Sequence, residues 1–406
     1  MLHSGGAGDQ QNAYPPNLFP LIVRFIVLIR MIMGVCAMSA NLDQAYSSYI
    51  DQLLVLMANR DASDLHITAP SPPIMRVNDQ LVVYKEAPPL KPVDVEDMFN
   101  HITTEAQRAE FDRELELDFA YSIPGLARFR VSAMYQRGSM SLAFRRVPFR
   151  VPSINELGLP DVLKSLVVKP RGLILVTGAA GNGKSTTLAA MIHHLNENEE
   201  RNIITIEDPI EYLFHNHRCV IRQREVGCDT KSFEAALIHA LRHDPDVIVI
   251  GELRDLATIS NALTAAETGH LVIGTMHTID AAQSIDRIVD AFPAGQQPQV
   301  RSQLSQVLEA VISQVLVPRK AGGRVAACEV MITSPLIRQF IRENKTGQII
   351  ANLEMGESEG KQSRDKALAG LVQRDIICRE DALRVCSDSS RLGELLDPGA
   401  RYRIGA

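Results

Sequence analysis

The stretch GLILVTGAAGNGKSTTLAAMIHHL, from Gly172 to Leu195, restricts the fold of this 406-residue chain more than any other. An apolar run of strand type, Leu173 to Val176, meets a glycine-rich turn and then an apolar pattern of helical period. Gly178 to Ser185 thus reads as G-x-x-x-x-G-K-[ST], a phosphate-binding loop joining a strand to a helix. Gly178, Gly181 and Gly183 permit backbone conformations closed to other residues. Successive amides of the loop and helix start, including those of Ala179, Ala180, Asn182 and Thr186, can then point at phosphate oxygens, backed by the helix N-terminus. Lys184 should reach the β- and γ-phosphates, and the Ser185 hydroxyl should ligate Mg²⁺. An ordinary glycine turn needs none of these residue types at this spacing, so the loop marks a nucleotide site.

Composition sets limits around that loop. A chain of 406 residues, 46% of them hydrophobic, suffices for two or three domains with sizeable cores. A net charge of −6 gives no global basic field to recruit nucleic acid or anionic lipid. The absence of Trp and the scarcity of aromatics offer no stacking platform for single strands. The six cysteines (Cys36, Cys219, Cys228, Cys328, Cys378 and Cys386) include no C-x-x-C pair. That argues against a disulfide framework and a zinc site and for reduced thiols in a cytosol.

Residues 1–17 are rich in Gly, Gln, Asn and Pro and read as disordered. Leu18 to Met38 is strongly apolar, but Pro20 opens it and Arg24 and Arg30 interrupt it. That is poor for a spanning helix, because an arginine near the bilayer centre costs ~2.5 kcal/mol or more. Three readings stay open for this segment: a membrane or interfacial anchor, a signal-like segment, and an upstream extension outside the working protein. The third is preferred, with residues 1–40 as the extension, because Met38-Ser39 precedes a polar cap and an amphipathic helix.

Residues 41–147 read as a small α+β domain. Tyr46 to Ala58 carries Ile50, Leu53, Leu54 and Met57 at helical spacing. Ala62 to Ile67, Ile74 to Val77 and Leu81 to Tyr84 have strand patterns, with Pro70, Pro72 and Pro73 marking a turn. Val93 to Phe111 is expected to be helical, and Leu117 to Tyr121 and Ala127 to Met134 to be strands. His66, alone on a strand, reads as structural. Arg128 and Arg130 alternate on one strand and so share a face, with Arg145 and Arg146 closing the next. On the residues alone, a solvated basic face and a phosphate-contacting role weigh equally.

Pro148, Pro152 and the polar run between them read as a linker, 148–155. Beyond it short apolar strands alternate with helices, the mark of an α/β fold with a largely parallel sheet. Strands are expected at Leu173–Val176, Ile203–Ile206, Val247–Ile250, Leu271–Met276 and Arg324–Met331. Helices are expected at Phe233–Arg242, Leu256–Thr268 with Gly269 as stop, Ala281–Phe292 with Pro293 after it, and Val300–Leu316. Residues 346–406 read as a helical tail.

Three groups of residues fall at strand ends, where open α/β sheets bind ligands. Ile203 to Glu211 delivers Glu207, Asp208 and Glu211 to one loop. A triphosphate hydrolase needs a carboxylate to orient or deprotonate water and another group for Mg²⁺, while Asp208-Pro209 also serves as a capped turn. In DVIVIGELRD, Asp246 to Asp255, an apolar strand presents Glu252 after Gly251, a position suited to holding Mg²⁺ through water as a Walker B element does. His270 and His277 flank Leu271 to Met276. Each alone reads as a satisfied core histidine; the pair in this sheet suggests a sensor near the γ-phosphate or a coupling to a neighbour.

This ensemble resembles the bacterial secretion ATPases, and within them the type IV pilus retraction ATPases of PilT/PilU type, over about residues 63 to 350. The resemblance rests on ASDLHI at 62–67, PGLARFRV at 124–131, GNGKSTTLAAMI at 181–192, TIEDPIEY at 205–212, GELRD at 251–255, TAAETGHL at 264–271, GTMHT at 274–278 and LIRQFIRE at 336–343. It implies a RecA-like P-loop ATPase core, 156–345, with a smaller α+β, PAS-like amino-terminal domain. It also implies a homo-hexameric ring with ATP bound between the core and the amino-terminal domain of each chain. By the same resemblance Glu211 is the general base, Glu252 supports Mg²⁺, His270 and His277 are a functional pair, and Arg128, Arg130 and Arg145 contact phosphate.

The implied work is ATP hydrolysis that drives pilus retraction, and hence twitching motility. The implied place is cytoplasmic, peripheral at the inner face of the inner membrane. There the motor acts on a polytopic inner-membrane platform protein, with a second retraction or assembly ATPase as a further partner and no nucleic acid. An assembly or secretion ATPase of the same superfamily, or an accessory retraction ATPase, is the alternative. The longer amino-terminal domain and tetracysteine insertion usual in assembly ATPases are not visible in the sequence. A DNA translocase is disfavoured by net charge and scarce aromatics, and a non-catalytic ring scaffold by the intact set of catalytic residue types.

Two departures from the family pattern stand out. Asn182 occupies a phosphate-loop position often filled by Ser, and the tail motif G-M-Q-T-[FL]-D appears as Gly360-Lys361-Gln362-Ser363-Arg364-Asp365, which puts docking of the tail in question. On this reading Lys184→Ala abolishes turnover. Steady-state ATP hydrolysis by the purified variant checks this, and substantial residual hydrolysis would sink the loop assignment.

Overall fold

The computed structural model describes residues 48–77, 80–148, 150–355 and 360–397. The chain divides into two compact units, 1–146 and 147–406. The expectations for residues 1–47, including the apolar segment Leu18 to Met38 and the first turn of the Tyr46–Ala58 helix, lie outside the described residues.

In the first unit Ser48 caps α1 (Tyr49–Asn59) by accepting the Asp51 amide, and Ile50, Leu53, Leu54 and Met57 form its buried stripe. The strands are β1 (Asp64–Thr68), β2 (Ile74–Val77), β3 (Gln80–Val83), β4 (Glu116–Ile123), β5 (Ala127–Gln136) and β6 (Ser139–Val147). They make one six-stranded sheet in the order β3-β2-β1-β6-β5-β4.

The single helix expected over Val93–Phe111 is instead two, α2 (Pro92–Ile102) and α3 (Glu105–Glu114). Thr104 is extended, its hydroxyl accepts the Gln107 amide, and the Gln107 side chain accepts the Thr104 amide. This capping box starts a new helix, while buried Val95, Met98, Phe99, Ile102 and Phe111 preserve an apolar spacing that hides the break in the sequence.

On β5 the buried Phe129 and Val131 alternate with Arg128 and Arg130, which turn to the more exposed face. Arg145 lies opposite Asp64 across the β1–β6 pairing and donates from Nε to Oδ1 at 2.9 Å. Burial pushes the Asp64 carboxyl up, but the Ser63 hydroxyl and the Arg145 guanidinium outweigh it and hold it below its usual value.

The second unit opens with α4 (Val162–Val167), β7 (Gly172–Thr177), α5 (Lys184–Asn198), β8 (Asn202–Glu207), β9 (Val220–Glu225) and α6 (Phe233–Ala240). β10 (Val247–Ile250), α7 (Leu256–Glu267), β11 (Leu271–Met276), α8 (Ala281–Asp290), α9 (Gln297–Val307), β12 (Leu308–Pro318) and β13 (Arg324–Ile332) follow. The seven strands run in the order β13-β12-β7-β11-β10-β8-β9, all parallel to their neighbours except β13, which is antiparallel to β12. Alternate residues of β7 feed two apolar clusters. Leu173 and Leu175 join α6 to α9, and Ile174 and Val176 join α4 and α5. Such continuous burial is what helices on both faces of a parallel sheet demand.

Two strands depart from the sequence reading. The helix expected over Val300–Leu316 stops at Val307, and the chain passes directly into β12. Val300, Leu304, Val307, Leu308 and Val311 fit a helical period, but the stretch from Leu308 is buried on both faces and bonds to β7, and that context overrides the pattern. β9 was not expected at all, because VIRQRE is polar at four of its six positions and occupies a sheet edge.

After α10 (Pro335–Arg342) and α11 (Gly347–Met355) the tail forms α12 (Arg364–Gln373), α13 (Arg379–Val385) and α14 (Ser389–Leu396). It docks, despite its divergent motif. Leu368, Leu371, Ile377 and Leu392 pack with Val317, Val325 and Ala327 of the β12–β13 hairpin. Gln362 exchanges two backbone hydrogen bonds with Val330, at 2.8 and 3.1 Å, and donates from Nε2 to the Cys328 carbonyl at 2.7 Å.

Beside that bridge, Glu329 accepts the Ala281 amide at 2.9 Å. Burial raises its pKa from 4.5 to about 6, against the Ala281 amide and Arg364, which pull it down. A folded pKa above the unfolded one contributes stability below about pH 4.5 that is lost as pH rises through about 6. Glu329→Gln removes this dependence. The variant should therefore gain on its parent by up to ~2 kcal/mol between about pH 5 and pH 8 in denaturation experiments.

Candidate nucleotide site

The phosphate loop holds its shape because it is pressed against β12. Gly178 has φ +145°, and a Cβ there would lie 2.5 Å from the Gln314 carbonyl oxygen, so no other residue fits. Gln314 accepts from the Thr187 hydroxyl at 2.9 Å and donates to the Asn182 carbonyl at 2.5 Å. The Asn182 side chain in turn accepts the Leu316 amide at 3.3 Å. The residue that departs from the family pattern thus ties the loop tip to the sheet.

Beside the loop lies a cavity of about 260 Å³ at the carboxyl ends of β7, β8, β10 and β11. Lys184, Ser185, Glu207, Glu211, Glu252 and His277 all line it, so the structure brings together six of the residues singled out by sequence. Lys184 is buried and donates to the carbonyls of Gly178, at 2.7 Å, and Ala179, at 3.1 Å. Its Nζ lies 3.3 Å from Nδ1 of His277, whose Nε2 is 3.5 Å from Glu252. Burial lowers the Lys184 pKa, partly opposed by Glu252.

Glu211 is exposed. Its amide donates to Glu207 at 3.4 Å, and Glu207 also accepts from the Thr205 hydroxyl at 2.6 Å and Gln223 Nε2 at 3.1 Å. Burial raises the Glu207 pKa against these three donors. Gln223 is the brace that sequence reasoning missed. From β9 it also donates to the Tyr212 carbonyl at 2.7 Å and accepts the Phe214 amide at 3.0 Å. Nothing in a polar edge strand advertises that role. Tyr212 ends the TIEDPIEY stretch, and its hydroxyl lies 3.0 Å from the Thr186 hydroxyl, which closes the acidic loop onto the helix start.

His270 is not part of this cavity. It stands at the opposite end of β11, where its Nδ1 lies 2.9 Å from the Ala265 carbonyl, so the two histidines do not form a cluster within one chain. Arg128, Arg130 and Arg145 belong to the first unit, with Arg145 paired to Asp64.

A second cavity of about 290 Å³ uses other residues of the same helix start. Gly183, Thr186 and Thr187 line it with Leu157, Leu316 and Arg319.

A model of the family described as type II/IV secretion system protein matches residues 41–383. The chain belongs to that family. The type IV pilus retraction ATPase PilT of Pseudomonas aeruginosa is 49% identical over 333 residues, which span 82% of this secretion-system chain and 96% of that protein. The type IV pilus ATPase PilU of the same organism is 41% identical over 86% of this chain and 92% of its own length. A crystal structure of the pilus retraction motor PilT with bound ADP matches with a TM-score of 0.79 at 44% identity, covering 86% of this chain and 99% of that one. This secretion-system protein is a P-loop ATPase with an α/β, RecA-like core, as the motifs implied.

Gln223→Ala should loosen the acidic loop without touching the phosphates. Because it leaves Glu207 and two backbone groups short of partners, kcat falls about tenfold while KM changes less than about twofold. Steady-state kinetics beside the parent checks this.

Proposed function

We propose that this chain is an ATP-hydrolysing motor that drives type IV pilus retraction as a hexameric ring. The observation that carries the reading is the convergence of Lys184, Glu211, Glu252 and His277 on one cavity, in a chain 49% identical to PilT. The loop amides and Lys184 hold the phosphates. Lys184 exchanges the Gly178 and Ala179 carbonyls for phosphate oxygens when nucleotide arrives. The second cavity, with its apolar walls beside Thr186, takes the nucleoside end.

Among the described residues no cluster of three or more His, Cys, Asp or Glu side chains is arranged to hold a metal. A magnesium ion fits that poverty, since it commonly takes one or two protein oxygens and completes its shell with phosphates and water. Ser185 and Glu252 are the residues that would hold it, and the ion would neutralise charge on the transferring phosphate.

Glu211 is the base. Its side chain is exposed, and the buried Glu207 behind it accepts the Glu211 amide and so fixes the backbone that carries it. His277, between Lys184 and Glu252, senses the terminal phosphate. His270 couples to a neighbouring subunit. Arg128, Arg130 and Arg145 supply phosphate contacts from the amino-terminal domain, 41–147, which moves relative to the core, 156–345, through the linker 148–155. No helix among the described residues is long and apolar enough to cross a membrane. The ring acts from the inner face of the inner membrane on a polytopic platform protein, and its work is retraction and twitching motility. An accessory retraction ATPase that needs a partner motor is the second reading.

ATP hydrolysis by size-fractionated protein, beside Glu211→Gln, tests the proposal. Turnover confined to a hexamer-sized species is expected. The variant should bind ATP as its parent does while kcat falls about 100-fold or more. Loss of ATP binding in Glu211→Gln would make Glu211 structural. A hexamer without turnover would favour the accessory reading, and an inactive monomer would overturn the ring.

A further inference from the structure

The tail segment that departs from the family motif touches the loop that carries His277. After β11 the chain runs His277, Thr278, Ile279 and Asp280 before α8 begins. This short loop is gripped from three directions. Inside it, the Thr278 hydroxyl lies 2.6 Å from that of Ser284, which donates to the Asp280 carbonyl at 2.6 Å. From β13, Glu329 accepts the Ala281 amide. From the tail, Arg364 donates through Nη2 to the Ile279 carbonyl, two residues from His277.

The register that delivers Arg364 there is specified residue by residue. Gly360 has φ +78°, and a Cβ on it would meet Val162 at 2.8 Å, so the tail can lie this close to α4 only with glycine. Gln362 is locked to Val330 and Cys328 by three hydrogen bonds. Ser363 caps α12 by accepting the Lys366 amide. Buried Asp365 accepts the amides of Ser387 at 2.7 Å and Asp388 at 2.9 Å. Arg364, flanked by these anchors, has little freedom to point elsewhere. Its Nε is buried without a hydrogen-bond partner among the described residues, so the guanidinium retains an unused donor.

We infer that Arg364 is a positioning residue for His277: by holding the Ile279 carbonyl, the carboxyl-terminal segment sets where the His277 ring stands relative to Lys184 and Glu252. The inference rests on the ATPase reading of that cavity. A carbonyl pinned to an arginine that is itself fixed by its neighbours limits the loop's travel, and geometry at a phosphoryl-transfer site is worth large factors in rate. The tail is therefore a second-tier support of the site, and its Arg is the part of the departure from G-M-Q-T-[FL]-D that has a mechanical consequence.

Arg364→Ala, Arg364→Met and Arg364→Lys, each alone and with His277→Ala, test this. Arg364→Met preserves the packed stem should the alanine variant not fold. In both uncharged variants kcat is expected to fall about tenfold with KM within about twofold, and Arg364→Lys to regain most of the loss. In the His277→Ala background, removing the Arg364 charge should cost nothing further, since both changes act through one group. Equal fold-losses in the two backgrounds would overturn the inference. Independently of turnover, hydrogen exchange in peptides spanning residues 277–284 should speed up in Arg364→Met without nucleotide. Unchanged exchange would also overturn it. A parent that hydrolyses no ATP would instead count against the reading of the chain as a self-sufficient motor, and the exchange measurement would still decide this one.

Discussion

The contact between the phosphate loop and β12 is the constraint on which the rest of the second unit depends. The loop must turn its amides inward, and it can do so only while Gly178 sits against the Gln314 carbonyl and Asn182 is held by Gln314 and Leu316. A loop of glycines has high conformational entropy when unsupported, so the rigid strand behind it converts a flexible sequence into a preorganised cradle. The acidic loop, Glu252 and His277 then approach from β8, β10 and β11, each placed by a strand buried on both faces.

The site is polar at its centre and braced from its edges. Glu207, Gln223 and Tyr212 make a small network that carries the exposed Glu211 without engaging its carboxylate. The network tolerates burial because each brace has several partners, which is what a low-dielectric surrounding demands. The raised pKa of Glu207 is the electrostatic trace of that burial. At the β13 edge of the sheet, the tail performs a comparable service for the loop after β11.

Local motifs were legible where the chemistry is local. Leu173 to Leu195 announced β7, the loop and α5 because strand, glycines, lysine and helix follow one another without interruption. The strand ends bearing Glu207, Glu252 and His277 were legible for the same reason. What escaped depends on contacts far apart in the chain. β12 looked helical because its apolar spacing satisfies both periods, and only the neighbouring β7 decides between them. Gln223 carries no signal, since an amide in a polar edge strand is indistinguishable from a solvated one until the acidic loop folds over it. The separation of His270 from His277 follows from strand length. Six residues of extended chain place the two rings at opposite ends of the sheet.

The joint between α9 and β12 has a further meaning. The helix ends at Val307 and the strand begins at Leu308, with no connecting residue between them. At the far end of the same strand, Gly322 and Gly323 make an ordinary turn to β13. An inserted residue at that turn can bulge into solvent. Between Ala310 and Gln314, past the register shift that separates Leu308 from Ala310, it would slide Gln314 by one position and send its side chain to the other face of the sheet, away from the cradle. Length variation in this chain is therefore tolerable at the far end of β12 and intolerable between Ala310 and Gln314. The strand behaves as a gauge block, whose fixed length from Ala310 to Gln314 sets the spacing on which nucleotide capture relies.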